Sequence, residues 1–337
     1  MGNPNTAREV RLASRPIGWP TEQNFDLVEV AIPEASDGRL LVRNLLMSVD
    51  PYMRNRMNGV RTYMPPFQVG RALEGGAVGE VVAGEADGIQ PGDLVAHGYG
   101  WRDYAAVDPN RVTKVDPRLG SPGAYLGALG MPGLTAYAGL VDVAPVAEGD
   151  VVFVSGAAGA VGGLAGQIAR LRGASRVVGS AGTAEKVRYL VEELNFDAAF
   201  NYRDDHIDKQ LRAAAPDGID VYFDNVGGTH LEAAIALLNN HGRIAACGMI
   251  SLYNRTELAP GLRNMQQILG KRLNLRGYVV DDYAHLRQEC VTQMSCWIRD
   301  GSVKYRETVM NGLANAPSAF LGLMRGDNIG KMLVRIA

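Results

Sequence analysis

Val151-Val152-Phe153-Val154-Ser155-Gly156-Ala157-Ala158-Gly159-Ala160-Val161-Gly162 decides how this chain folds. It opens with a short β-branched run of the kind buried on both faces of a parallel sheet, and the run stops at glycine. A helical pattern follows and continues to Arg172. Between strand and helix stand only glycine and alanine, so a pyrophosphate can come close to the free N–H groups at the helix N-terminus. The spacing is Gly-x-x-Gly-x-x-Gly rather than Gly-x-Gly-x-x-Gly, with Ala157 or Ala158 where the middle glycine would stand. A tight strand–helix turn with no ligand is the alternative reading.

Outward from this turn, strand and helix patterns alternate. Strands are expected at residues 151–155, 176–180, 198–200, 219–223, 243–247 and 275–280, with amphipathic stretches such as 185–194 and 230–238 between them. Six strands with intervening helices is the count of a doubly wound (Rossmann) parallel sheet, an α/β fold that binds dinucleotides. Before residue 125 the texture differs: apolar runs at 40–46, 77–83 and 93–96 are punctuated by Gly84, Pro91-Gly92 and Gly98, which predicts a compact β-rich domain. That texture returns near Tyr305 and ends in a strand pattern at 332–336. The expected organisation is an α/β domain, residues 126–300, inserted between two parts of a β-rich domain, residues 1–125 and 301–337.

Composition bounds the function. A chain of 337 residues suggests about two domains. With 47% hydrophobic and 21% charged residues it reads as an ordinary soluble globular protein. A net charge of -2 gives no electrostatic reason for a nucleic-acid or anionic-membrane partner. Glycine is the outlier at 41 residues, about 12% against roughly 7% in ordinary usage, so close backbone approaches are expected. Cys247, Cys290 and Cys296 are odd in number and form no Cys-x-x-Cys pair, which points to a reducing compartment. No run of 18 apolar residues occurs, and the polar start Met1-Gly2-Asn3-Pro4-Asn5 lacks a signal peptide's apolar core. With Thr6 that start fits the loose myristoylation pattern, read as a chance match. A cytoplasmic protein is expected.

The end of the second sheet strand reports the cofactor. A chain that prefers NAD places Asp or Glu there to hold the ribose hydroxyls. Here the segment reads Gly179-Ser180-Ala181-Gly182-Thr183, without an acid. A 2′-phosphate is repelled by a carboxylate and drawn to a cation, and Lys186, Tyr202 and Arg203 follow nearby in the pattern. NADP(H) is therefore the expected cofactor, with a solvated helix residue as the alternative reading of Lys186.

Segments spread along nearly the whole length carry a family resemblance: Ser48-Val49-Asp50-Pro51-Tyr52-Met53-Arg54, Gly130-Met131-Pro132-Gly133-Leu134-Thr135-Ala136-Tyr137, residues 156–162, Asp224-Asn225-Val226-Gly227-Gly228, Cys247-Gly248-Met249-Ile250-Ser251-Leu252-Tyr253-Asn254 and Gly326-Asp327-Asn328-Ile329-Gly330-Lys331. In combination they resemble the zinc-free medium-chain dehydrogenase/reductase superfamily, in the branch of prostaglandin and leukotriene reductases, alkenal double-bond reductases and curcumin reductase. The resemblance implies a GroES-like β-rich domain around the Rossmann sheet. Zinc alcohol dehydrogenases of that superfamily carry Cys-x-Asp and Gly-His-Glu where this chain has Ser48-Val49-Asp50 and Gly70-Arg71-Ala72-Leu73-Glu74. Serine and alanine are no substitute for thiolate and imidazole as zinc ligands. His97, His206, His230, His241 and His285 lack paired ligand spacing and read as surface or hydrogen-bonded residues. No metal site is expected.

The resemblance also implies chemistry. In that branch the hydride of NADPH goes to the β-carbon of an α,β-unsaturated carbonyl, and a tyrosine after the fifth sheet strand donates to the developing enolate oxygen. The matching residue is Tyr253, and a phenol keeps its proton at neutral pH. Tyr52 would line the substrate pocket or aid protonation, with packing as the alternative. By the same resemblance the cofactor contacts are Gly156, Ala158, Gly159, Ala160, Val161, Gly162, Gly182, Lys186, Tyr202, Asn225, Cys247, Tyr253, Asn328, Met131 and Thr135, and the molecule is a homodimer. Arg203 joins the phosphate site on charge alone. The rival readings are a zinc-independent quinone oxidoreductase and, from another class, a non-catalytic NADPH-sensing protein.

Overall fold

A computed structural model describes residues 6–259 and 261–337. The myristoylation-like start therefore lies, Thr6 apart, outside the described residues. In chain order the first strands are β1 (Thr6–Leu12), β2 (Phe25–Ala31), β3 (Leu40–Ser48), β4 (Ala77–Ala83), β5 (Leu94–His97), β6 (Tyr104–Val107) and β7 (Thr113–Lys114). Then follow β8 (Val151–Val154), β9 (Arg176–Ala181), β10 (Ala198–Asn201), β11 (Ile219–Asp224), β12 (Leu238–Ala246) and β13 (Asn274–Gly277), with β14 (Glu307–Asn311) and β15 (Lys331–Arg335) in the tail. The helices are α1 (Tyr52–Arg56), α2 (Met131–Ala138), α3 (Ala160–Leu171), α4 (Ala184–Arg188), α5 (Ile207–Ala214), α6 (Gly228–Leu237), α7 (Gln266–Lys271), α8 (Arg287–Arg299) and α9 (Ala316–Arg325). Two compact units result: residues 6–127 with 307–337, and Ala128–Arg306.

In the second unit a six-stranded sheet has the order β10-β9-β8-β11-β12-β13, every pair parallel. The chain runs outward from β8 to β10, returns, and continues from β11 on the other side. This is the expected doubly wound sheet, and its order reverses between β8 and β11, where such sheets bind ligands at the carboxyl ends of the strands. Val152, Phe153 and Val154 are fully buried, as a central strand requires. Phe153 stacks on Tyr222 at 5.0 Å and on Phe200 at 5.9 Å, tying β8 to strands on both sides. The fifth strand starts at Leu238, five residues before the expected 243, because Asn239-Asn240-His241-Gly242 is threaded into β12 with His241 at φ 64° instead of forming a separate turn. The sixth strand stops at Gly277, and a 3-10 stretch follows at Val280–Leu286.

The first unit is the expected β-rich domain, built from both ends of the chain. Its main sheet runs β14-β15-β3-β4-β5-β7 with β6 also on β3, and β1 pairs with β2 in a separate ribbon. Alternating inward residues supply one core: Leu40 and Val42 of β3 pack with Val81, Val95, Ala105 and Val107. Phe25 stacks on Trp101 at 5.9 Å, and Phe320 of the tail meets Trp101 edge-on at 6.3 Å. The Lys331 ammonium stands 2.7 Å from Asp50, with side-chain exposures of 4% and 7%. Removing one partner of such a pair strands a buried charge, at a cost of about 3–5 kcal/mol.

Among the described residues no helix is long and apolar enough to cross a membrane. His97 and His230 are buried, and neither Nε2 has a hydrogen-bond partner among the described residues. The expectation of surface or hydrogen-bonded histidines thus fails for His230 and is half met at His97, whose Nδ1 accepts from the Tyr99 N–H at 3.1 Å. Burial pushes both imidazoles down from the ordinary 6.5 to about 4. As pH falls below 6.5, the unfolded chain binds protons that the folded chain refuses until about 4. Each histidine should therefore lower stability by up to about 1.4 kcal/mol per pH unit across that window. Urea unfolding between pH 7 and 4 checks this: His230→Phe should flatten the slope, and an unchanged slope contradicts the assignment.

Candidate active site

The turn after β8 is shaped by backbone, not side chains. Gly156 sits at φ 59°, a conformation that favours glycine. A Cβ on Gly162 would stand 2.5 Å from the Gly156 oxygen and 2.8 Å from the Ala157 Cα, so only glycine fits. Gly159 caps α3 without a side chain, and Ala160 and Val161 form its first turn, so no side chain competes for the leading N–H groups. The Ala157 N–H donates to the Ser180 carbonyl at 2.9 Å and pins the loop to β9, while Ala158 is buried beside it. These features fit a pyrophosphate of a dinucleotide.

Opposite the sheet's reversal, the end of β11 is organised by a carboxylate that the sequence reading passed over. Asp224 is fully buried. Its Oδ1 accepts from the Tyr222 hydroxyl at 2.6 Å, the Ser155 hydroxyl at 3.2 Å, and the N–H groups of Val226 at 2.9 Å and Gly227 at 2.8 Å. Burial pushes this carboxyl up despite those donors, which pull it down. The network grips Asn225, whose N–H donates to the Ser155 hydroxyl at 3.1 Å and whose amide donates to the Ser155 carbonyl at 2.8 Å. Ser155 ends the phosphate turn's strand and Asn225 begins the opposite loop, so one hydroxyl sets both.

Tyr253 lies on the same loop system. Its hydroxyl accepts from the Met249 N–H at 3.3 Å and stands 3.4 Å from where a Gly248 Cβ would be, a site also 3.4 Å from the Asn225 carbonyl. The phenol oxygen and the Asn225 carbonyl thus flank Gly248. The Cys247 and Gly248 N–H groups donate to the Asp224 carbonyl at 2.9 and 3.0 Å. Burial pushes the Cys247 thiol up to about 12, so it stays protonated. The neighbouring Tyr278 hydroxyl donates to the Thr135 carbonyl at 2.8 Å, and Thr135 donates to the Met131 carbonyl at 2.7 Å. Asn225, Cys247, Tyr253, Thr135 and Met131 are therefore linked within this unit.

At the end of β9, Gly182 makes room for Tyr202: a Cβ there would stand 3.0 Å from the phenol oxygen. The Tyr202 N–H donates to the Ala181 carbonyl at 3.0 Å. Lys186 lies half-buried in the first turn of α4, its N–H donating to the Thr183 hydroxyl at 3.3 Å. The Arg203 guanidinium lies 5.7 Å from the Tyr202 ring centre.

Two expected residues belong to the first unit. Tyr52 opens α1, and burial, with Asp50 close by, pushes its phenol up, so it remains protonated. Asn328 is buried and donates to the Gly330 carbonyl at 2.7 Å. Where zinc relatives carry a thiolate, Ser48 donates to Asp50, which also accepts from Lys331. Among the described residues no group of three or more His, Cys, Asp or Glu could hold a metal ion.

Comparison with known proteins fits this geometry. Residues 8–115 match the N-terminal domain of oxidoreductase family and residues 160–296 the zinc-binding dehydrogenase family. The chain is 42% identical over 331 residues to the NADPH-dependent curcumin reductase of Escherichia coli, covering 97% of this chain and 96% of that one. It is 40% identical to the NADP(+)-dependent 2-alkenal reductase of Nicotiana tabacum, over 98% of this chain and 97% of the relative. The crystal structure of CurA from Vibrio vulnificus in complex with NADPH superposes with a TM-score of 0.93 at 40% identity, covering 98% of this chain and 99% of that one. The chain belongs to the medium-chain dehydrogenase/reductase superfamily, in the branch of curcumin and alkenal reductases.

The sequence pattern singled out the glycines and Asn225 as candidates but not Ser155, Tyr222 and Asp224, which organise the hydrogen bonds around Asn225, or Lys331, which donates to Asp50. Asp224 stood inside a quoted motif, and its place at the end of the apolar strand pattern Ile219–Asp224 was the available signal. The pyrophosphate cradle gives a direct test. Gly162→Ala should raise the Kd for NADP(+) by about tenfold or more in calorimetry, the scale of losing hydrogen bonds to a charged group. Binding within twofold of the parent would show that the cradle does not hold the cofactor.

Proposed function

We propose that this chain is an NADPH-dependent reductase of the C=C bond in α,β-unsaturated carbonyl compounds. The observation that carries the reading is the placement of the Tyr253 phenol beside Gly248 and Asn225, at the carboxyl end of the strands where the sheet order reverses. Bound NADPH supplies hydride for the substrate's β-carbon. The protein's own task is to meet the negative charge that then grows on the carbonyl oxygen. The Tyr253 O–H donates a hydrogen bond to that oxygen, and Asn225, held by Ser155, orients the nicotinamide side. Gly156, Ala158, Gly159, Ala160, Val161 and Gly162 hold the pyrophosphate, and Lys186 and Tyr202, with room given by Gly182, hold the 2′-phosphate.

Cys247, Met131 and Thr135 form the nicotinamide wall: a half-buried, protonated thiol and a threonine whose hydroxyl is already engaged present neutral surface. Tyr52 and Asn328, in the first unit, are carried over from the family as substrate-side and ribose-side residues. In this reading Ala128–Arg306 is the cofactor-binding unit and the β-rich unit serves the substrate. The exposed edge strand β13 supports a homodimer in which such edges pair. Three free cysteines suit the cytoplasm. A quinone oxidoreductase of Escherichia coli complexed with NADPH has a TM-score of 0.79 to this chain at 20% identity, a likeness of fold alone.

Tyr253→Phe tests the assignment. With an alkenone substrate it should lower kcat by about 100-fold, the scale of losing one oxyanion donor, while the Kd for NADP(+) stays within about twofold. Unchanged turnover would remove Tyr253 from the reaction.

A further inference from the structure

We infer that His230 is a positioning residue for cofactor choice: it holds the Tyr202 ring edge-on so that the phenol points to the 2′-phosphate, and thereby sets the preference for NADP(H) over NAD(H). This rests on the reading that Tyr202 binds that phosphate.

The two rings lie 5.2 Å apart at an interplanar angle of 76°, an edge-to-face contact. On another side Gly182 offers no side chain, and the Arg203 guanidinium lies 5.7 Å from the ring centre. The Tyr202 backbone is fixed to β9 through the Ala181 carbonyl. Arg203 is exposed and Gly182 only leaves room, so the buried imidazole is the fixed wall among these three neighbours of the ring. His230 itself sits on α6 at 3% exposure with no partner for Nε2 among the described residues. A buried nitrogen without a partner is unfavourable, so core stability alone favours an apolar residue here. The imidazole is also neutral at physiological pH, since burial pushes it down to about 4, and so it brings no cation of its own to the phosphate. What it supplies is a flat ring in edge-to-face contact with Tyr202.

The test is calorimetry of the full chain with NADP(+) and with NAD(+), read as the ratio of the two Kd values. Tyr202→Phe checks the underlying reading and should cut the preference for NADP(+) roughly tenfold, as loss of one hydrogen bond to a charged group does. His230→Leu fills the site without a planar edge and should cut it roughly threefold to tenfold through weaker NADP(+) binding, with NAD(+) binding kept within about twofold. His230→Phe restores the edge and should return the ratio to within about twofold of the parent. If Tyr202→Phe leaves the ratio unchanged, the phosphate reading fails and this inference with it. If Tyr202→Phe lowers it but His230→Leu does not, or if His230→Leu weakens both nucleotides alike, the inference alone is overturned. Should His230→Leu not fold, His230→Phe decides: a preserved ratio supports the role, and a fall of threefold or more refutes it.

Discussion

The buried Asp224 carboxylate, fed by Ser155, Tyr222 and two backbone N–H groups, is the contact on which the nucleotide unit's site depends. Strands β8 and β11 are far apart in sequence and adjacent only because the sheet reverses its order between them. Ligands of doubly wound sheets bind at such a reversal, outside the carboxyl ends of the strands. Without a tie, the glycine turn on one side and the Asn225 loop on the other would move independently. Ser155 belongs to the first and touches the second, so a single hydroxyl couples the phosphate-binding turn to the loop that carries Asn225 and leads, through Gly248, to Tyr253. Low local polarity strengthens each of these bonds and makes the whole network costly to break.

A similar economy marks the first unit. Its tail strand β15 returns to pair with β3, and Lys331 at the start of that strand meets Asp50 at the end of the β3 segment. The pair replaces thiolate chemistry with a charge contact at the place where zinc relatives build a metal site. Ser48 adds a further donor to the same carboxylate. Burial and the nearby Asp50 carboxylate together push the Tyr52 phenol up, so it keeps its proton.

Much of this was legible in the sequence. The β8 run followed by bare glycines could be nothing but a strand and a tight helix start, and the alternating texture fixed the doubly wound class. The missing acid after β9 reads directly as cofactor preference, because a carboxylate and a 2′-phosphate repel. Other features were hidden for physical reasons. The β12 start was lost because Asn239-Asn240-His241-Gly242 has turn chemistry and forms an irregularity between the paired residues Leu238 and Arg243. Asp224 looked like one more polar motif residue, since its burial comes from tertiary packing and its donor Ser155 stands 69 residues away in the chain. His230 read as a surface or hydrogen-bonded residue, because its ring contact with Tyr202, 28 residues earlier, is made by the tertiary fold, which periodicity does not reveal.

The central claim is that a protein-held phenol meets an enolate oxygen while hydride arrives two bonds away from the carbonyl carbon. The most direct measurement uses NADPH deuterated at the transferable position, an alkenone, and NMR of the product. Deuterium on the β-carbon is the predicted result. Deuterium on the carbonyl carbon would mean that the chain reduces the carbonyl itself, and would contradict the account.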